Sequence, residues 1–180
     1  MRHLADVYSG RRLLCSGVSL TIREARPDDW EAFCALYEGD PPDDPEAAAG
    51  RFRRKLASEL ECVLVAELQQ SGAAPQLVGL ALAHQWDEYL MSGRQQLRFS
   101  TLRVHPDHRR RGVGRALFGG IVAWAQSRNA TWLEWYASPG AVPFYTRLGF
   151  TGTVCPDPDF PYYELRFGGQ GEPAGTVNPT

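Results

Sequence analysis

The segment Val104 to Arg115, VHPDHRRRGVGR, constrains this chain more than any other, because it joins a strand-like run, Leu97 to Val104, to a strongly helical one, Gly112 to Arg128. A strand that enters a helix through a basic, glycine-containing turn aims unpaired backbone N–H groups and the positive end of the helix dipole at one point. That point is an anion site. Gly112 and Gly114, on either side of Val113, let a bulky ligand approach the main chain, and Arg109, Arg110, Arg111 and Arg115 surround it with fixed positive charge. A phosphate is the anion this chemistry suits best. A solvated arginine run at an ordinary helix start is the other reading of the same residues.

Two known phosphate motifs do not match. A Walker loop requires Lys-Ser or Lys-Thr after its second glycine, and none follows here; a dinucleotide fingerprint requires a third glycine where Leu117 stands. What remains is R-x-x-G-x-G, Arg109 to Gly114, preceded by Val104-His105-Pro106. In this order of strand, V-x-P, R-x-x-G-x-G and helix the chain resembles the GNAT superfamily, the acyl-CoA-dependent N-acetyltransferases. A second segment carries the same resemblance. After the helix comes an aromatic, strand-like run, Thr131 to Ala137 (TWLEWYA), and then Ala141 to Phe150 (AVPFYTRLGF), similar to the family's A-x-x-F-Y-x-x-x-G-F. Gly149 suits the left-handed residue that commonly closes a helix.

Composition places the chain in a single domain. With 180 residues, 43% hydrophobic and 22% charged, it can build one sizeable core. A net charge of -2 argues against a nucleic-acid partner, because the basic patch is local. Cys15, Cys34, Cys62 and Cys155 show neither a C-x-x-C pair nor a histidine at metal-ligand spacing, so no metal and no disulfide framework is expected. The apolar part of RRLLCSGVSL is too short for an export signal, and no run approaches a membrane span; a cytoplasmic protein with no membrane partner is the expectation. Residues 1–18 read as an N-terminal arm, 19–167 as the domain, and 168–180 as a flexible tail almost without large apolar side chains.

Within the domain, strand and helix signals alternate. Strands are expected at Leu20–Arg23, Glu61–Leu68, Leu77–Gln85, Leu97–Val104, Thr131–Ala137, Phe150–Val154 and Tyr162–Phe167. Helices are expected from Pro27 to about Glu38, at Glu46–Ser58, at Gly112–Arg128 and around Tyr145. The resemblance implies an α/β (α+β) GNAT fold: a central mixed, mostly antiparallel twisted sheet of about seven strands with about four flanking helices, splayed between the fourth and fifth strands.

The resemblance also implies chemistry. Acetyl-CoA would be the acyl donor, its pantetheine arm bonded to the main chain of Leu102, Arg103 and Val104 in the splay, with Phe144 and Ser138 beside it. Ser138 stands where the family often has Asn. A primary amine on a small molecule or peptide would attack the thioester directly, with a homodimer among the assemblies the family allows. Tyr145 falls where the family places its general acid. A phenol near pKa 10 is weaker than a thiol near 8.5, so full proton transfer costs about 2 kcal/mol, and hydrogen bonding to the thiolate is the larger role.

The general base is where the chain departs from the pattern. Many family members carry an acid on the strand before the phosphate loop, but here those positions are Ser100 and Thr101; Glu134, Asp87, Glu88 and His84 are the substitutes in reach. A lysine-like ammonium near pKa 10.4 must lose a proton, at about 4.6 kcal/mol at pH 7. Glu38, Asp40, Asp43, Asp44 and Glu46 in one loop, and Trp86, Asp87, Glu88 and Tyr89 in another, suit a cationic acceptor or are simply solvated. A non-catalytic acyl-CoA-binding sensor or interaction module is the alternative to an enzyme.

Overall fold

The computed structural model describes residues 12–15, 17–37, 42–153 and 162–166. Their strands form one seven-stranded sheet in chain order: β1 Arg12–Cys15, β2 Val18–Glu24, β3 Glu61–Gln70, β4 Gln76–Glu88, β5 Gln95–Val104, β6 Ala130–Tyr136 and β7 Tyr162–Arg166. Every neighbouring pair is antiparallel except β5 and β6, which run parallel because α3, Val113–Ser127, carries the chain back over the sheet between them. The remaining helices are α1 Trp30–Leu36, α2 Pro45–Leu56 and α4 Val142–Arg147.

The central strands β3 and β4 are apolar on both faces because both faces are covered. On one face Leu64, Val78, Ala81, Leu97 and Leu133 pack under Leu117, Phe118 and Ile121 of α3. On the other, Val63, Val65, Leu80 and Leu82 meet Phe33 and Leu36 of α1 and Phe52 of α2. Cys62 lies in the first layer, where burial pushes its thiol up to about 12; Cys34 and Cys62 are both free.

Local chemistry explains the helix ends. Asp44 caps α2, its Oδ1 accepting from Ala47 N at 2.9 Å, with Pro45 in the first helical position. The helix expected from Pro27 to Glu38 is instead a 3-10 turn, Pro27–Asp29, followed by α1. Asp29 serves the turn rather than a longer helix: its carboxylate accepts from Arg26 N at 2.7 Å and takes the Arg23 guanidinium at 2.7 and 2.9 Å. Arg23 also binds Glu67 on β3, and the Arg23 hydrogen bonds hold the Asp29 carboxyl below its usual range. After α4, Gly149 has φ 94°, and Phe150 N donates to Tyr145 O at 3.1 Å, closing the helix in a Schellman motif.

Two strand expectations are revised. Arg12–Cys15, inside the span read as an arm, pairs with β2 as an edge strand. Phe150, Thr151 and Gly152 are not extended in a ladder, and only Thr153 makes an isolated bridge, because the Schellman turn redirects the chain; Val154 lies outside the described residues. The count of seven therefore stands with a different member, and the expected splay falls between β5 and β6.

That splay is visible in the pairing. β5 meets β6 only from Gln95↔Ala130 to Arg98↔Glu134, and from Phe99 to Val104 its β6-facing edge has no strand partner among the described residues. A bulge coincides with the parting: Leu82 pairs with Thr101 and Ala83 with Phe99, leaving Ser100 as the extra residue, its Oγ donating to Leu82 O at 3.3 Å. The bulge corrects parity. Leu97, Phe99, Leu102 and Val104 all pack toward α3, which strict alternation would forbid.

Gly79 marks the tightest crossing of helix and sheet. An added Cβ would lie 2.9 Å from Arg103 O and from Leu117 Cδ1, and 3.2 Å from Val113 Cγ1. Gly79→Ala should lower stability by about 1–3 kcal/mol, read as a lower urea midpoint with an unchanged slope.

Candidate active site

The turn after β5 is built from short local bonds. His105 N donates to Val78 O at 2.9 Å, Asp107 N donates to His105 Nδ1 at 3.3 Å, and a 3-10 turn spans Pro106–His108. Two left-handed residues then reverse the chain, Arg110 at φ 62° and Gly112 at φ 83°, before α3 begins. Gly112 is the N-cap and offers no side-chain cap, and the first turn of α3 has no acid, so its N–H groups and dipole are not internally neutralised. Space above Gly112 is open, with nothing within 4 Å of an added Cβ.

The sequence-expected residues divide here. Arg110, Arg111 and Arg115 are exposed around the α3 N-terminus, available to an anion. Arg109 instead folds back, its Nε donating to Val104 O at 3.1 Å, and so ties the turn to the end of β5. Gly114 admits a neighbouring ring: an added Cβ would lie 3.4 Å from Phe144 and 3.7 Å from Val104 Cγ2. Val113 is core. Arg103 is half-buried beside the unpaired edge formed by Leu102 and Val104. Burial lowers the pKa of His108, helped by Arg111, so its imidazole is neutral at pH 7.

Tyr145 lies on the same side of the sheet. Its ring is 4% exposed and packs against Phe118, Trp135, Phe144 and Tyr163 at centroid distances of 5.8, 5.3, 5.0 and 5.4 Å. Burial, followed by Tyr163, raises its pKa well above that of an ordinary phenol. Among the described residues Trp135 Nε1 is buried without a hydrogen-bond partner. The surroundings of that donor depend on aromatic packing between several elements and have no sequence signal. Ser138 is exposed, and its carbonyl accepts from Ala141 and Val142 N at 2.8 and 3.2 Å, giving its backbone a capping task at α4.

The opposite face of the splay holds a different set. Alternation along β6 turns Glu134 and Tyr136 away from α3, and the bulge turns Ser100 and Thr101 the same way. Glu134 is buried and accepts from Arg98 Nε at 2.7 Å and from Arg98 Nη2. The Arg98 guanidinium lies 5.3 Å from the Trp86 ring centroid. Asp87 and Glu88 are exposed, and Asp87 Oδ1 accepts from Glu88 N at 2.8 Å. His84, half-buried on β4, has its pKa lowered first by burial, with Lys55 and Arg98 adding and Glu61 and Glu134 opposing. Of the four candidate bases, Glu134 is bound to a cation, Asp87 and Glu88 lie toward the far end of the β4–β5 hairpin, and His84 presents a neutral imidazole at pH 7. Glu38 and Asp40 lie outside the described residues.

Among the described residues, no group of three or more His, Cys, Asp or Glu side chains is placed to hold a metal ion, and no helix is long and apolar enough to cross a membrane. A model described as "Acetyltransferase (GNAT) family" matches residues 22–150. A curated relative, mycothiol acetyltransferase of Frankia casuarinae, is 39% identical over 88 residues, covering 39% of this chain and 25% of that protein, so the chain matches about a quarter of that relative's length. Among solved structures, yncA of Salmonella typhimurium with its cofactor acetyl-CoA superposes with a TM-score of 0.60 at 19% identity, covering 87% of this chain and 99% of the other. Glucosamine-6-phosphate N-acetyltransferase of Arabidopsis thaliana gives 0.65 at 15% identity, covering 76% and 94%. The PaiA N-acetyltransferase of Thermoplasma acidophilum in complex with coenzyme A gives 0.63 at 15%, covering 83% and 99%. At these identities the structural likeness concerns the fold.

The left-handed turn makes its own prediction. Gly112→Ala should cost about 1 kcal/mol of stability and Gly112→Asn less, since asparagine tolerates this backbone region better than alanine. Urea denaturation of the two variants beside the parent measures the difference, and equal midpoints for Ala and Asn would remove backbone strain as the reason for glycine here.

Proposed function

The chain belongs to the acetyltransferase (GNAT) family, and from that premise we propose that it moves an acetyl group from acetyl-CoA to a primary amine. The observation that carries this reading is the continuity of the free β5 edge, Phe99 to Val104, with the arginine-rich turn and the uncapped N-terminus of α3. One edge offers main-chain hydrogen bonds to an extended amide-bearing arm, and the next few residues offer N–H groups and cations to phosphates. The residues fit acetyl-CoA: Gly112 leaves open space, Arg110, Arg111 and Arg115 stand exposed around it, and the first turn of α3 holds no acid.

Bound there, acetyl-CoA supplies an activated thioester. The chain's own part is positioning and charge control. Main-chain groups of Leu102, Arg103 and Val104 would orient the arm, Phe144 and Gly114 would form its wall, and Ser138 stands at its far side. Arg109 ties the turn to β5 through its Nε bond to Val104 O, and its guanidinium would add positive charge beside the phosphates. Tyr145 keeps its proton because burial disfavours the phenolate. Full transfer to a thiolate would therefore cost more than the about 2 kcal/mol set by ordinary pKa values, and the residue acts as a hydrogen-bond donor to the leaving sulfur.

Free CoA release, measured with a panel of amines, amino acids, polyamines and peptides, tests the reading. Tight CoA binding with no release for any acceptor would favour the acyl-CoA-binding module, the reading that the missing strand carboxylate supports. With an active acceptor, Tyr145→Phe should lower kcat by roughly ten- to a thousandfold at nearly unchanged CoA affinity. Unchanged turnover would return Tyr145 to packing alone.

The pH dependence follows from Ser100 and Thr101. An ammonium must lose its proton before attack, so kcat/KM should rise with pH toward the acceptor's own pKa. Amines near 7.7–8.0 should be better acceptors at neutrality than lysine-like amines near 10.4, for which deprotonation costs about 4.6 kcal/mol. A profile already flat at pH 7 with a high-pKa amine would reveal a dedicated base, and its loss in His84→Gln would identify it.

A further inference from the structure

The acceptor face holds one cation placed as an anchor. Arg98 is the last residue of β5 paired to β6, opposite Glu134, so its Cα lies at the apex of the splay. Two of its nitrogens, Nε and Nη2, bind one oxygen of the buried Glu134, and its guanidinium lies over Trp86. Among the described residues the third nitrogen, Nη1, has no hydrogen-bond partner, and the side chain is 41% exposed. A guanidinium held by a carboxylate on one edge and by an aromatic ring beneath is pre-organised, with an edge left for a second oxygen ligand.

We propose that Arg98 anchors the carboxylate of an α-amino acid whose side chain is apolar and whose α-amine is the acetyl acceptor. This rests on the acetyltransferase reading above. The reacting centre lies beside Ser100 to Leu102, two to four residues, or about 7–13 Å, further along β5. A long arginine side chain and one amino acid span that interval, because amine and carboxylate share a single carbon.

Charge on this face argues in the same direction. Among the described side chains, the acids nearest the apex are already paired: Glu134 with Arg98, and Glu61 with Lys55 at 2.6 Å. His84 is neutral at pH 7, and Asp87 and Glu88 are exposed at the hairpin's outer part. Among those side chains a polyamine finds no unpaired carboxylate at the apex. A carboxylate finds an open guanidinium edge. Trp86 and Tyr136, 45% and 54% exposed, flank the apex and offer apolar surface to the amino acid's side chain. The anchor also eases the missing base, since a cation near the substrate lowers the pKa of its amine and offsets the raising effect of its own carboxylate.

Calorimetry on the CoA-loaded protein tests the anchor without requiring turnover. N-acetyl-L-phenylalanine should bind at least tenfold more tightly than N-acetyl-L-phenylalaninamide. Arg98→Lys, which keeps a cation beside Glu134 but loses the fork, should remove most of that preference, and steady-state assays should place the effect in KM for L-phenylalanine more than in kcat. Equal binding of acid and amide by the parent, or an undiminished preference in folded Arg98→Lys, overturns the proposal even if other amines are acetylated. Preference for the acid with no acetylation of any amino acid would overturn the α-amine as acceptor, whereas only the absence of CoA release with every amine tested would overturn the acetyltransferase reading.

Discussion

The parting of β5 from β6 is the constraint on which the rest of the molecule turns. Between Phe99 and Val104, β5 keeps its ladder to β4 but has none on its other edge. A buried main-chain group without a partner costs about 1–3 kcal/mol, so such an edge persists only where water or a ligand can complete it and where packing elsewhere holds the strands apart. The packing is aromatic: Phe99, Phe118, Trp135, Tyr145 and Phe150 lie edge-on or tilted to one another beneath α3 and α4. The Ser100 bulge then lets β5 leave its neighbour without turning Leu102 and Val104 away from that layer.

The sheet divides two electrostatic tasks between its faces. Toward α3, positive charge is left uncompensated, with exposed arginines and an uncapped helix N-terminus. Toward α1 and α2, carboxylates are compensated in place: Asp29 and Glu67 by Arg23, Glu61 by Lys55, Glu134 by Arg98. A nearly neutral chain can therefore carry a strong local anion site. Net charge alone says nothing about this, because a phosphate bound at an oriented helix end responds to groups within a Debye length, about 8 Å at physiological salt.

Short-range features were the legible ones. The arginine-glycine turn, the Gly149 helix end and the apolar runs of β3, β4 and α3 each depend on residues a few positions apart, and each formed where it was expected. Misreadings came from longer range. The strand expected at Phe150–Val154 is preempted by the Schellman turn of α4, whereas Arg12–Cys15 gains strand character only by adding to β2. The charge of Arg109 is legible in the sequence, but its Nε bond to Val104 O is not, because that bond depends on how tightly the turn closes. The Arg98–Glu134 pair joins residues far apart in sequence and requires the β5–β6 register to be known.

The surroundings of Tyr145 decide what it can contribute to the proposed reaction. Its ring neighbours are Phe118, Trp135, Phe144 and Tyr163, and burial penalises the phenolate. A group held so firmly in its neutral form does not deliver a proton outright to a thiol-like leaving group. It can still donate a hydrogen bond, and that bond strengthens as charge gathers on the acceptor in a site of low dielectric. The indole N–H of Trp135, buried in the same cluster and without an acceptor among the described residues, adds a second dipole to this apolar wall. Donors in such a wall favour negative charge beside it over positive, which suits a departing thiolate and opposes an ammonium. The amine then has reason to arrive from the other face of the sheet, where His84 is neutral and Glu134 and Glu61 are paired with Arg98 and Lys55.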